Sequence, residues 1–293
     1  DGRDMDPTDP GDNMFGNGNH SWHGTHVTGI LAAEANNNLG VAGGLWQGKL
    51  LPVRVLGQGG GSQADILDGI FWAIGDPDIE GVPPNQNPAK LVNLSLGGVT
   101  EAQTHEMWVQ LVAYIFARVD RYPQQPIIVV ASGNENIAAE EVTPGNIPEL
   151  ITVGAVRFDG TRASYSNWGP VVDLVAPGGQ IDLDQNLDGY PDGVLSLFAN
   201  DYNLEQGTSM ATPHVTAALA LAVSIKPALS QSDASDLLAA TANPAGQCAA
   251  GCGAGFLDAA ALLLAANHGV VPPPDPRLSV DTREIDSRPS DAI

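Results

Sequence analysis

The chain has 293 residues, 43% of them hydrophobic, and 34 acidic residues against 12 Lys and Arg give a formal net charge of −22. That length suits one large α/β domain with a sizeable core, and the many small residues, 34 Gly among them, suit helices packed closely on a parallel sheet. The charge excludes a nucleic-acid partner, because no basic stripe is available to neutralise phosphates, and it argues against binding to an anionic membrane surface.

Residues 1–19 are rich in Asp, Gly, Pro and Asn and read as loop. Residues 23–35 (HGTHVTGILAAEA) predict a helix, stopped by the turn Asn36-Asn37-Asn38. Residues 50–56 (LLPVRVL) predict a buried strand. After a Gly run at 59–61, an amphipathic helix is expected from Ser62 to Ile74, with Ile66, Ile70, Ala73 and Ile74 on one face. A Pro/Asn loop covers 76–89, a strand 90–95 and a helix 101–121. Residues 127–131 (IIVVA) have no polar face, the signature of a parallel strand covered on both sides. Strands are expected at 150–156 and 171–176, an acidic loop at 180–193, and helices at 208–225, 230–241 and 256–266. From Val270 the sequence turns Pro-rich and charged and reads as an outgoing linker, so the expected division is a domain over 1–269 and a linker over 270–293. No uninterrupted apolar run reaches 18 residues, so no membrane span is expected. Strands alternating with helices imply right-handed crossovers and one doubly wound, mostly parallel sheet in a three-layer α/β/α fold.

Three segments carry reactive chemistry at junctions between loop and regular structure: His23-Gly24-Thr25-His26, Ala131-Ser132-Gly133-Asn134 and Gly207-Thr208-Ser209-Met210-Ala211. Ser209 opens a helix, where free backbone N–H groups favour developing negative charge. Gly207 permits the close backbone approach that a nucleophile turn needs. His23 offers a general base with a pKa near neutrality. Asn134 follows a wholly apolar strand and can present an amide donor to an oxyanion. Taken singly, each has a plainer reading: an N-cap serine, a surface histidine, a turn asparagine.

Their joint occurrence resembles the subtilase (subtilisin-like) family, whose motifs HGTHVTG, VNLSLGG, ASGNEN, RASYSNWGP, VAPGG and GTSMATPHV occur here in that family's order across residues 20–265. The resemblance implies a serine endopeptidase acting through an acyl-enzyme on a protein or peptide substrate. It makes Ser209 the nucleophile, His23 the base, and Asn134 the oxyanion donor together with the Ser209 N–H. Ser95, Leu96 and Gly97 would line one side of the primary specificity pocket, and Ala131, Ser132 and Gly133 the other. Gly59, Gly60 and Gly61 would pair with the far edge of an extended substrate. The protein is expected to be secreted and monomeric. The alternatives are a non-catalytic subtilase-like binding protein and an esterase, the latter without a G-x-S-x-G motif around any serine.

The sequence departs from the family at one place. The family's triad aspartate lies in an apolar strand before a D-[ST]-G motif, well upstream of the histidine, and no such motif occurs here. Asp1, Asp4, Asp6, Asp9 and Asp12 lie too near His23 and follow no apolar strand, so they read as loop or cation-binding acids. The expectation is a catalytic domain truncated at its N-terminal side, without the first strand and nearly inactive as it stands.

Asp184, Asn186, Asp188, Tyr190 (by its carbonyl) and Asp192 supply oxygens at positions 1, 3, 5, 7 and 9, with Gly189 at position 6, the spacing of an EF-hand calcium loop. Leu195 stands at position 12, so a further ligand must come from elsewhere, with Asp182 available. By resemblance, Asn37 and the carbonyls of Glu34, Leu39 and Val41 form a second calcium turn. Ca2+ is therefore the expected, structural cofactor. A zinc reading of His20, His23 and His26 lacks an H-E-x-x-H motif. Cys248 and Cys252 form a small loop disulfide or remain two thiols, the disulfide being expected on secretion. Trp22, Trp46, Trp72 and Trp168 read as packing residues. Glu135, Glu140 and Glu141 lie in the stretch that would reach the pocket floor.

Overall fold

The computed structural model describes residues 11–14, 16, 18–79, 81–244 and 251–269. In chain order the elements are α1 (His23–Ala32), α2 (Gln63–Ile74), β1 (Leu91–Leu94), β2 (Gly98–Val99), α3 (Ala102–Ala117), β3 (Ile127–Ala131), β4 (Val142–Thr143), β5 (Ile151–Val156), β6 (Leu174–Pro177), β7 (Val194–Phe198), β8 (Asp201–Glu205), α4 (Thr208–Ile225), α5 (Gln231–Thr241) and α6 (Ala259–His268). A parallel sheet runs β1-β3-β5-β6, and two antiparallel pairs, β2-β4 and β7-β8, stand beside it.

The period-2 alternation of strands decides which helix layer each residue meets. In β3, Ile127 and Val129 enter one core with β5, β6, α4, α5 and α6, while Ile128 and Val130 enter the opposite core with α2 and α3. All five β3 residues are buried, and each apolar side chain so removed from water contributes about 1.5–3 kcal/mol. The expected three-layer α/β/α arrangement is therefore the one observed. Ser62 caps α2 by accepting from the Asp65 N–H, and Ser230 and Asp233 cap α5 reciprocally.

Several expectations need correction. Residues 50–56 form no strand and join no ladder among the described residues. Their apolar side chains are spent on α2 instead: Val55 packs with its core, and Val53 and Val55 lie against Gly69. The third helix stops at Ala117 and gives way to a 3-10 turn over Val119–Arg121. The strand expected at 171–176 begins only at Leu174, because Val172 N–H closes a turn onto Gly169 O. The hairpin β7-β8 was not anticipated. Trp46 is 64% exposed and Trp168 40% exposed, so neither is a packing residue of the core; the tryptophan that is buried is Trp108. Helix α4 is long and apolar enough to cross a membrane by length and composition, with mean hydropathy 1.3. Interspersed Thr and Ser hid this from a search for uninterrupted runs, and its central place on the sheet, against α1 and α6, accounts for the apolarity. Residues 270–293 and Cys248 lie outside the described residues. Cys252, which is described, is disulfide-bonded.

Candidate active site

Ser209 is the second residue of α4, after Gly207 at φ 151°, a conformation that side chains avoid. Its hydroxyl donates to Ser95 O at 3.4 Å, and the Ser95 hydroxyl donates back to Ser209 O at 2.8 Å. Asn93 at the end of β1 steadies that second serine: its Nδ2 donates to Ser95 Oγ at 3.0 Å, and its Oδ1 accepts from Thr216 at 2.9 Å. The start of α4 is thus tied to the segment leaving β1, at the carboxyl end of the sheet, where ligands of open α/β folds bind.

Asn134 leaves β3 at the same end. Its Oδ1 accepts from Thr208 N–H at 2.8 Å and from Thr208 Oγ1 at 3.0 Å. A backbone N–H can only donate, so the atom facing it must be the oxygen, and this fixes the amide's orientation. The Nδ2 end is turned toward the nucleophile turn, 3.7 Å from the point that a Cβ on Gly207 would occupy. The Thr208 hydroxyl also accepts from Gly133 N–H at 3.3 Å. Thr208, fully buried, therefore couples the Gly133–Asn134 segment to α4. The sequence reading gave it no role.

His23 is the first residue of α1. That helix starts from Trp22 in the left-handed region, without a side-chain cap. Val27 and Ile30 of α1 pack on Met210, the neighbour of Ser209, which brings the starts of the two helices to one edge. Burial lowers the His23 pKa below the ordinary histidine value; the nearby His26 lowers it further, and the Asp12 charge opposes both. The ring thus stays neutral, the form a general base needs, to a lower pH than a free histidine. Among the described residues, neither the Ser209 hydroxyl nor any carboxylate is hydrogen-bonded to the His23 ring. Asp12 instead accepts from the Ser21 hydroxyl and N–H and from Met14 N–H, which holds its carboxyl down at about 2. Asp12 is a loop acid, as expected.

The two walls assigned to the specificity pocket leave adjacent strands side by side, Ser95–Gly97 after β1 and Ala131–Gly133 at the end of β3. The first wall continues into β2, which pairs with β4. Gly59–Gly61 lie in an exposed turn closed by reciprocal Gly57–Gly60 backbone bonds of 2.9 and 3.0 Å, and no hydrogen bond joins that turn to the other two segments. Glu135 is bonded to Asn167, and Glu140 lies against Gly169. His214 bonds Met210 O within α4.

In the acidic loop, Asp184 accepts from the N–H groups of Asp188 and Gly189 (3.2 and 3.1 Å), Asp188 from Tyr190 N–H (2.8 Å), and Asp192 from Gln185 N–H (2.6 Å). Burial raises the Asp192 pKa, and the charges of Asp184, Asp188 and Asp159 raise it further. Among the described residues, no three His, Cys, Asp or Glu side chains are gathered as a metal cluster. In the second turn, Asn37 Oδ1 accepts from Leu39 N–H at 3.0 Å, and Leu39 is exposed.

The structure thus sets Ser209 at a helix start, the Asn134 amide bonded to the residue before it, and His23 at the start of a helix packed against that one. The sequence profile of the subtilase family matches residues 2–255, and the chain belongs to that family of serine proteases. It is 40% identical over 278 residues to an extracellular protease of Xanthomonas campestris pv. campestris, covering 92% of this chain and 46% of that protein. It is 38% identical over 278 residues to an extracellular basic protease of Dichelobacter nodosus, covering 88% and 43%. The chain thus spans less than half the length of these relatives. A solved protease structure from Pseudoalteromonas arctica superposes with a TM-score of 0.76 at 39% identity, covering 90% of this chain and 79% of that one. Intracellular serine proteases match as well.

Proposed function

We propose that the protein is a serine endopeptidase in which Ser209 is the nucleophile, His23 the general base and Asn134 the oxyanion donor. The observation that carries this reading is the Thr208 clamp, which holds the Asn134 amide oxygen and leaves its donor end beside the Gly207 turn that precedes Ser209. Ser209 Oγ attacks the peptide carbonyl while His23 takes its proton. The carbonyl oxygen gains charge between Asn134 Nδ2 and the Ser209 N–H. His23 then returns the proton to the leaving amine, and water releases the acyl group by the reverse sequence. In the free protein the Ser209 hydroxyl rests on Ser95 O. The step therefore needs it to rotate toward His23, a tightening that substrate binding commonly brings.

Extended substrate would lie between Ser95–Gly97 and Gly59–Gly61, with one side chain between Leu96 and the Ala131–Gly133 wall. No carboxylate among the described residues orients the His23 ring, and without one a serine–histidine pair loses about 10⁴ in kcat. Residues 1–269 form the peptidase unit and 270–293 a linker. The protein acts as a secreted monomer, a reading supported by the extracellular relatives and the acidic, disulfide-bonded chain.

Calcium is the fitting ion for the loop 184–192. The donors are all oxygen, and Gly189 takes φ 88° at the sixth position. The first-position carboxylate already gathers the N–H groups of the fifth and sixth residues. Asp184, Asn186, Asp188, Asp192 and the Tyr190 carbonyl would hold it, and Asn37 with the Leu39 and Val41 carbonyls a second ion. Both are structural and take no part in the reaction.

A fluorophosphonate probe tests the catalytic reading. Labelling of Ser209, slowed by His23→Ala, is expected. A protein that binds peptides yet leaves Ser209 unlabelled at every pH would be a binding protein and not a peptidase.

A further inference from the structure

The segment 162–168 (RASYSNW) takes no part in the mechanism above, yet it braces the whole oxyanion loop. Residues Asn134, Glu135 and Asn136 are exposed; a loop that is mostly open to water would ordinarily sample several conformations. Here the facing segment takes up backbone groups along the length of the loop. Asn136 N–H donates to Tyr165 O (2.8 Å), Asn167 N–H to Gly133 O (3.0 Å), Trp168 N–H to Ile137 O (3.2 Å) and Ala139 N–H to Trp168 O (2.7 Å).

One side chain is central. Asn167 is 1% exposed. Its Oδ1 accepts from Glu135 N–H at 3.0 Å and from Ile137 N–H at 3.1 Å. Its Nδ2 donates to Ser132 O at 2.9 Å and to the Glu135 carboxylate at 2.7 Å. A side-chain amide has two donor hydrogens and two acceptor lone pairs, and all four are used on residues flanking Asn134 on both sides. The fit is close: a Cβ on Gly133 would come within 2.2 Å of Asn167 Nδ2.

We propose that Asn167 is the positioning residue of the oxyanion site: it holds the 132–137 loop so that the Asn134 amide is in place before substrate arrives. An oxyanion donor is effective because it costs no reorganisation at the moment of reaction. Thr208 fixes the oxygen end of the Asn134 amide, and Asn167 fixes the backbone that carries it. The inference rests on the catalytic reading of Asn134 given above.

The test compares Asn167→Asp, Asn167→Ser and the double variant Asn167→Asp with Glu135→Gln. The aspartate substitution keeps the acceptor for the two N–H groups but replaces both donors with oxygen, facing Ser132 O and a second carboxylate. On a peptide substrate, kcat is expected to fall about tenfold or more, bounded by the about 10²–10³-fold cost of removing an oxyanion donor outright, while KM moves less than about threefold. In the double variant the glutamine amide can donate to the introduced carboxylate, so part of kcat is recovered. Asn167→Ser admits water in place of the amide and gives the same split should Asn167→Asp not fold.

A readout independent of turnover accompanies the kinetics. The Asn134 side-chain NH2 resonances shift, and the Glu135 and Ile137 amides exchange faster, in Asn167→Ser, with the β3 amides unchanged. Unaltered kcat, or an unmoved Asn134 resonance, in a folded Asn167 variant overturns the proposal. A wild-type protein without hydrolysis or labelling overturns the peptidase reading instead, and the resonance readout still decides the role of Asn167.

Discussion

The oxyanion loop at 132–138 and the acidic loop at 184–192 are both exposed turns next to the sheet, but they are held in different ways. The first is bonded to residues 30 to 75 positions away in the chain, through Asn167 and Thr208. The second is bonded mainly to itself, through Asp184, Asp188 and Asp192, with Gln185 reaching Asp159 as a tie to the body. The first geometry is complete without a ligand. The second gathers several carboxylates, and burial, with the charges of Asp184, Asp188 and Asp159 added, raises the Asp192 pKa. Preorganisation for chemistry comes from bonds across the fold, whereas a metal loop leaves part of its ordering to the ion.

Four experiments would break or sharpen this contrast. The largest effect is expected at the reacting pair: Ser209→Ala or His23→Ala should each remove about 10⁶ of kcat in a fully competent enzyme, the scale known from subtilisin, a member of this family. The measurement is peptide hydrolysis with melting temperature as control, and retained turnover in Ser209→Ala would refute the assignment.

Next, Asn134→Leu should cost about 10²–10³ in kcat, or 3–4 kcal/mol of barrier, with KM nearly unchanged. A loss carried by KM alone would mean that Asn134 binds ground-state substrate.

The acidic loop should respond to conditions more than to single bonds. Calcium at a hundredfold excess over its Kd contributes about 2.7 kcal/mol, so chelation should lower the melting temperature by about 5–10 °C. Asp188→Asn should remove most of that dependence. A melting temperature indifferent to chelator and calcium would dismiss both proposed ion sites.

The smallest effect concerns an acid of the braced kind. Asp173 accepts Thr152 N–H at 2.7 Å, and burial raises its pKa from 3.8 to about 6. Between those values the folded state keeps a proton that the unfolded state has lost. Stability from this group is therefore full below about pH 3.8 and declines as pH rises through 6. Asp173→Asn stays neutral, so it should gain on the wild type as pH rises, by on the order of 2 kcal/mol at pH 8. Parallel melting-temperature curves from about pH 4 to 8 would show that the carboxyl is solvated.

Residues whose chemistry is local in sequence were legible from the sequence alone. His23, Asn134 and Ser209 each sit in a short motif because a strand end or helix start must present them. The buried strand at 127–131 announced itself by having no polar face. What escaped depends on distant partners. Residues 50–56 have a strand's composition, yet an apolar run serves equally well to cover α2, and only a neighbouring ladder tells the two apart. The hairpin β7-β8 turns at Ala199-Asn200, with Ala199 at φ 49°, rather than at an Asn-Gly or Asp-Gly pair that would have signalled it. The bracing by Asn167 spans 30–35 residues and left no local pattern beyond the motif in which it sits.

The start of α1, where Trp22 gives no side-chain cap and the Ser21 hydroxyl accepts from the His23 N–H at 3.3 Å, bears on when His23 takes its place. A ten-residue helix without a side-chain cap has little intrinsic persistence in water; its form is lent by Met210, Val194 and the hairpin behind it. His23 therefore acquires its place only when segments far apart in the chain have met, which loop-closure entropy makes a late event. Under the proposed peptidase reading, the same dependence would keep a partly folded copy from bringing His23 and Ser209 into place.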